Sequence, residues 1–75
     1  MKQISEAELH EYIEHVSAIA RTIKKQLPNN VEVGDLIQYG MLGLMAALKT
    51  YKDDHQSSLR TWIELKAKGA IILDN

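Results

Sequence analysis

Near the end of the chain an indole is interleaved with cations: Arg60, Trp62, Lys66 and Lys68. Such a set can stack an unpaired base on the aromatic face and neutralise the phosphates beside it, which is how single-stranded nucleic acid is held. The same pattern arises when a half-buried Trp is flanked by lysines whose stems lie along apolar surface. The other reactive side chains offer less. His10, His15 and His55 share no i, i+4 spacing and the chain has no cysteine, so the ligand spacing of a zinc-type site is missing and the three read as surface histidines. Glu11 with Glu14, and Asp53 with Asp54, could exchange protons. Neither pair comes with a nucleophile or a phosphate-binding glycine loop, so they read as solvated faces, and neither an enzyme nor a cofactor is expected.

The second candidate is a surface. On a helix of 3.6 residues per turn, the stretch DLIQYGMLGLMAALKTY from Asp35 to Tyr51 puts Leu36, Ile37, Gly40, Leu44, Ala47, Leu48 and Tyr51 on one core-facing stripe. The opposite stripe is Asp35, Gln38, Tyr39, Leu42, Met45, Ala46 and Lys49. A solvated helix back does not normally gather Tyr, Leu and Met, so this stripe reads either as a docking surface or as core against another element.

The elements that must position these residues are helices. Ser5 and Glu8 form a capping-box pair, and Leu9, Tyr12, Ile13, Val16, Ile19, Ala20, Ile23 and Leu27 then step by threes and fours. A helix from about Ser5 to Leu27 is predicted, with Glu6 and Glu8 at its positive end and Lys24 and Lys25 at its negative end. Pro28 stops it and Asn29-Asn30 turns the chain. Val31 and Val33 have no strand to pair with, so they read as an extended lead-in, Val31 packing near the start of a second helix from about Gly34 to Tyr51. Within that helix Gly40 and Gly43 each cost up to about 1 kcal/mol relative to Ala. Close approach of a neighbouring backbone explains such a cost: the first helix for Gly40, and a neighbour or a partner for Gly43. After a polar loop through Lys52, Asp53, Asp54, His55, Gln56 and Ser57, Ser58 reads as the N-cap of a third helix from Leu59 onward. Its inner stripe is Leu59, Ile63, Ala67, Ala70 and Ile71, and its outer side is Arg60, Glu64, Lys66 and Lys68, with Trp62 beside the inner stripe. No stop signal precedes Asn75, and the third helix reads as cut in mid-course.

Seventy-five residues, 45% hydrophobic and 25% charged, fit a single domain over 1–75, which at this length buries roughly 60% of its unfolded surface. No apolar run approaches the roughly 20 residues of a membrane span, and the N-terminus lacks the apolar core of a signal peptide. A cytoplasmic protein without membrane contact is expected. The formal charge of −1 lacks the basic footprint of a free-standing duplex-DNA binder.

The order and spacing of several motifs resemble region two of bacterial RNA polymerase sigma factors, in the flagellar, stress and sporulation branch. The resemblance runs from Tyr12 onward. Leu27-Pro28 looks like the LP that follows the family's first helix. Asp35-Leu36-Ile37-Gln38, Gly40, Gly43-Leu44, Ala47 and Tyr51 look like its polymerase-clamp helix, and SSLRTWIELKAKGAI from Ser57 to Ile71 is similar to its GxxFxTYAxxRIRGAI. The resemblance implies an all-α, three-helix domain in which Asp35, Gln38, Tyr39, Leu42 and Met45, with Met41 at the edge, contact the clamp helices of the largest subunit of core RNA polymerase. It also implies that the segment Leu59 to Lys68 catches unstacked promoter bases through Arg60, Trp62, Lys66 and Lys68. Here Leu59 stands for the family's Phe, Trp62 for its Tyr, Ile63 for a small Ala, and Lys66 and Lys68 for arginines.

The implied function is that of a transcription-initiation subunit on core polymerase, contacting single-stranded promoter DNA weakly within the complex. The chain holds no helix-turn-helix domain for promoter recognition. It is therefore expected to act with a second, promoter-binding sigma-like chain, or as the core-binding piece of a longer sigma factor. A polymerase-binding inhibitor or decoy and a plain helical interaction module are the alternatives.

Overall fold

In a computed structural model, which describes residues 3–52 and 58–73, three helices follow in order: α1 (Glu6–Lys24), α2 (Val33–Thr50) and α3 (Leu59–Leu73). The expected all-α, three-helix class is the observed one. Asp53, Asp54, His55, Gln56 and Ser57, expected as a loop, lie outside the described residues, as does the chain end at Asp74 and Asn75.

The start of α1 follows its sequence signal. The Ser5 hydroxyl accepts from the Glu8 backbone N–H at 3.1 Å, and the Glu8 carboxylate accepts from the Ser5 N–H at 3.1 Å, so two otherwise orphaned donors are satisfied reciprocally. Its end comes earlier than expected. Regular helix stops at Lys24, and Gln26 and Leu27 instead donate back to the carbonyls of Ile23 and Lys24 in a tighter turn. A further turn closes from the Val31 N–H to the Pro28 carbonyl at 3.1 Å.

Val33 is not part of the extended lead-in expected for Val31 and Val33; it is the first residue of α2, with Glu32 as an N-cap whose side chain makes no capping bond. The boundary carried no capping side chain, so propensity alone misplaced it by a residue or so. Val31 packs against the part of the core that contains Leu36. Tyr51 is the extended C-cap of α2 rather than its last helical residue. At α3 the Ser58 hydroxyl accepts from the Thr61 backbone N–H at 3.2 Å, the geometry of an N-cap.

The core has two parts. Val16, Leu44, Ala47, Leu48, Ile63 and Ala67 form one; Ala20, Leu36 and Ile71 form the other, covered by half-buried Ile19, Ile23, Val31 and Tyr39 among others. Two glycines set how closely α2 approaches its neighbours. A Cβ on Gly40 would stand 2.5 Å from Val16 Cγ1 of α1 and 3.3 Å from Ile71 Cδ1 of α3, so Gly40 lies at the seam of the two core parts. A Cβ on Gly43 would stand 2.6 Å from the Lys66 carbonyl oxygen and 2.7 Å from Ala67 Cα. Gly43 therefore faces a neighbour, α3, at backbone range. The buried Ser17 hydroxyl donates to the Ile13 carbonyl at 2.9 Å, which satisfies a polar group inside the core.

Candidate functional site

Because Leu36, Gly40, Gly43, Leu44, Ala47 and Leu48 are all buried, the other side of α2 is turned outward. Leu42 is 58% and Met45 51% exposed, one helical turn apart and therefore side by side. Asp35, Gln38, Ala46 and Lys49 are exposed around them, giving an apolar centre with polar neighbours and opposite charges at the two ends. Asp35 lies in the first turn of α2 and Lys49 in the last, where each suits the helix dipole.

Two members of the expected set sit deeper. Tyr39 is half-buried against the part of the core formed by Ala20, Leu36 and Ile71, and Met41 is half-buried against the other part. The stripe thus contains both answers the sequence left open: Leu42 and Met45 are surface, whereas the Tyr39 ring is shared between surface and core.

The aromatic and basic residues of α3 fall into two groups. Trp62 and Lys66 are together: the ammonium lies 4.7 Å from the indole centroid, within cation–π range, and the indole N–H donates to Thr50 Oγ1 at the end of α2 at 3.2 Å. Arg60 and Lys68 are on the opposite flank, where Arg60 Nη2 is 3.4 Å from His15 Nδ1 and Lys68 borders a hollow lined on α1 by His15, Ala18, Ile19, Thr22 and Ile23. At about 100° per residue, positions 60, 64 and 68 share one stripe and 62 and 66 another on the far side. One continuous platform is not formed.

Sequence reasoning missed two features. His15 is not a plain surface histidine, and Glu64 is not simply part of the outer side: His15 Nε2 and Glu64 Oε1 are 2.6 Å apart and both side chains are partly buried. Leu65 and Ile72, 61% and 62% exposed, were passed over on the outer face of α3, although their spacing of seven puts them on one side of a helix. Among the described residues no group of three or more His, Cys, Asp or Glu could hold a metal ion, and no helix is long and apolar enough to cross a membrane.

Comparison with known proteins decides the family. The family model for sigma-70 region 2 matches residues 9–73, spanning all three helices. The chain belongs to the sigma-70 region 2 family. It is similar to the RNA polymerase sigma factor FliA of Pseudomonas aeruginosa, 34% identical over 64 residues that cover 85% of this chain and 26% of that protein. No solved structure matches the chain. The match with FliA agrees with the flagellar, stress and sporulation branch indicated by the motifs. As a region 2 chain it carries the fold of the family in α1 to α3 and spans about a quarter of the length of that relative.

Proposed function

We propose that this region 2 chain is a transcription-initiation subunit that docks on the clamp helices of the largest subunit of core RNA polymerase, through Asp35, Gln38, Tyr39, Leu42 and Met45 with Met41 at the edge. The observation that carries the reading is the exposed Leu42–Met45 pair on a helix whose other side is buried. Apolar anchors ringed by polar residues are the usual make-up of an interface core. Promoter recognition is supplied by a second sigma-like chain or by the rest of a longer sigma factor. On the polymerase, Trp62 and Lys66 face a displaced single strand, with Arg60 and Lys68 adding charge from the other flank at the high local concentration that tethering provides.

The separation of the α3 cations onto two flanks favours a second reading, a decoy that occupies the sigma site without opening promoter DNA. Pull-down of core polymerase followed by reconstituted transcription tests both. An initiation subunit retains polymerase and supports transcripts once a promoter-binding chain is added. A decoy retains polymerase but lowers transcription by a competing sigma factor, and absence of polymerase from the pull-down defeats both readings.

A further inference from the structure

His15 stands between two oppositely charged side chains of α3. Its Nε2 meets Glu64 Oε1 at 2.6 Å and its Nδ1 meets Arg60 Nη2 at 3.4 Å. A guanidinium has donors only and an ionised carboxylate acceptors only. Both contacts are therefore satisfied by one species, the neutral ring with its proton on Nε2. Protonation would put a second N–H on Nδ1, facing a cation that has nothing to accept with, while strengthening the contact to Glu64.

We propose that His15 is a proton-operated positioning residue for Arg60: the neutral ring holds the guanidinium against α1, and the protonated ring releases it to anionic ligands. The proposal rests on reading α3 as the nucleic-acid face and adds a control over one of its cations. Arg60 is exposed, so its release disturbs no core packing. Histidine is the side chain that ordinarily changes charge between about pH 5 and 8. The titratable and charged groups lining two hollows that His15 borders are Glu64, Arg60 and Lys68 from α3, and Glu11, Glu14 and His10 from α1, with none from α2. The ring thus links α1 to both Glu64 and Arg60 of α3.

The test has two arms on the full chain. In ¹⁵N-resolved NMR, the His15 ring should show the Nε2-protonated tautomer at pH 7.5, and the Arg60 side-chain signals should move together with the His15 ring signals as the pH falls. In His15→Gln they should not move. An Nδ1-protonated ring, or Arg60 signals that titrate alike in both proteins, overturns the proposal. In the second arm, a labelled single-stranded oligonucleotide is titrated at pH 7.5 and 5.5. The wild type should gain about two- to fivefold more affinity on acidification than His15→Gln, as befits the gain or loss of one exposed ion pair. Arg60→Gln, a change at an exposed site, should behave as His15→Gln does. Equal gains in wild type and Arg60→Gln count against the proposal even if His15→Gln fails to fold. Intact NMR coupling with no oligonucleotide binding at either pH supports the positioning role and rejects the nucleic-acid reading of α3.

Discussion

Tyr39 and Leu42 separate the two demands made on the outer stripe of α2. The Tyr39 ring covers Ala20, Leu36 and Ile71, so Tyr39→Ala removes packing as well as any partner contact. A loss of about 1–3 kcal/mol in stability is expected from a half-buried aromatic, read as a lower midpoint in urea. Leu42 and Met45 are more than half exposed, so Leu42→Ala should leave that midpoint within about 0.5 kcal/mol of the wild type. The sequence marked the stripe because Tyr, Leu and Met recur there. The split between Tyr39 and Leu42 was not legible, because a rotation of α2 by a fraction of a residue exchanges their surroundings. His15 was illegible for a different reason: its partners Glu64 and Arg60 are 49 and 45 positions away along the chain, and no local spacing announces such a pair.

At the scale of the helices, glycines distinguish contact from freedom. Gly43→Ala places a methyl group against the Lys66 carbonyl and Ala67 backbone of α3, which cannot yield without moving the helix. We expect it to destabilise by about 1–3 kcal/mol, outweighing the propensity gain of up to about 1 kcal/mol. Gly40→Leu should do likewise against Val16 and Ile71. Gly69 is the control: nothing lies within 4 Å of its added Cβ, so Gly69→Ala should raise stability by about 0.5–1 kcal/mol. Thermal melts of the three variants check the ranking, and a Gly43→Ala protein at least as stable as the wild type would contradict the close approach of α2 and α3. The helix starts at α1 and α3 were readable, since Ser5 with Glu8 and Ser58 each mark one with its own chemistry, whereas α1 ends at Lys24, before Pro28. Val33 was misread where no such residue stands. Gly40 was assigned to α1 from its shared stripe with Leu36 and Leu44, while Gly43, between stripes, needed the packed structure to choose its neighbour.

For the molecule as a whole, a net charge of −1 and cations divided between two flanks of α3 allow little phosphate neutralisation. The chain by itself should show no useful affinity for duplex promoter DNA at physiological salt, and only weak, salt-sensitive binding to single strands. Fluorescence anisotropy across a salt series reads this directly, and submicromolar, sequence-specific duplex binding would show that recognition lies elsewhere. On the proposed reading its chief partner is a protein, met through α2. The most direct test is the affinity of core RNA polymerase for the wild type, Leu42→Ala and Met45→Ala, with urea midpoints measured on the same samples. Each substitution should weaken binding by about 1–3 kcal/mol, roughly five- to 150-fold, as truncation of an interface anchor does, at unchanged midpoint. Wild-type affinity in both folded variants would contradict docking through the α2 stripe.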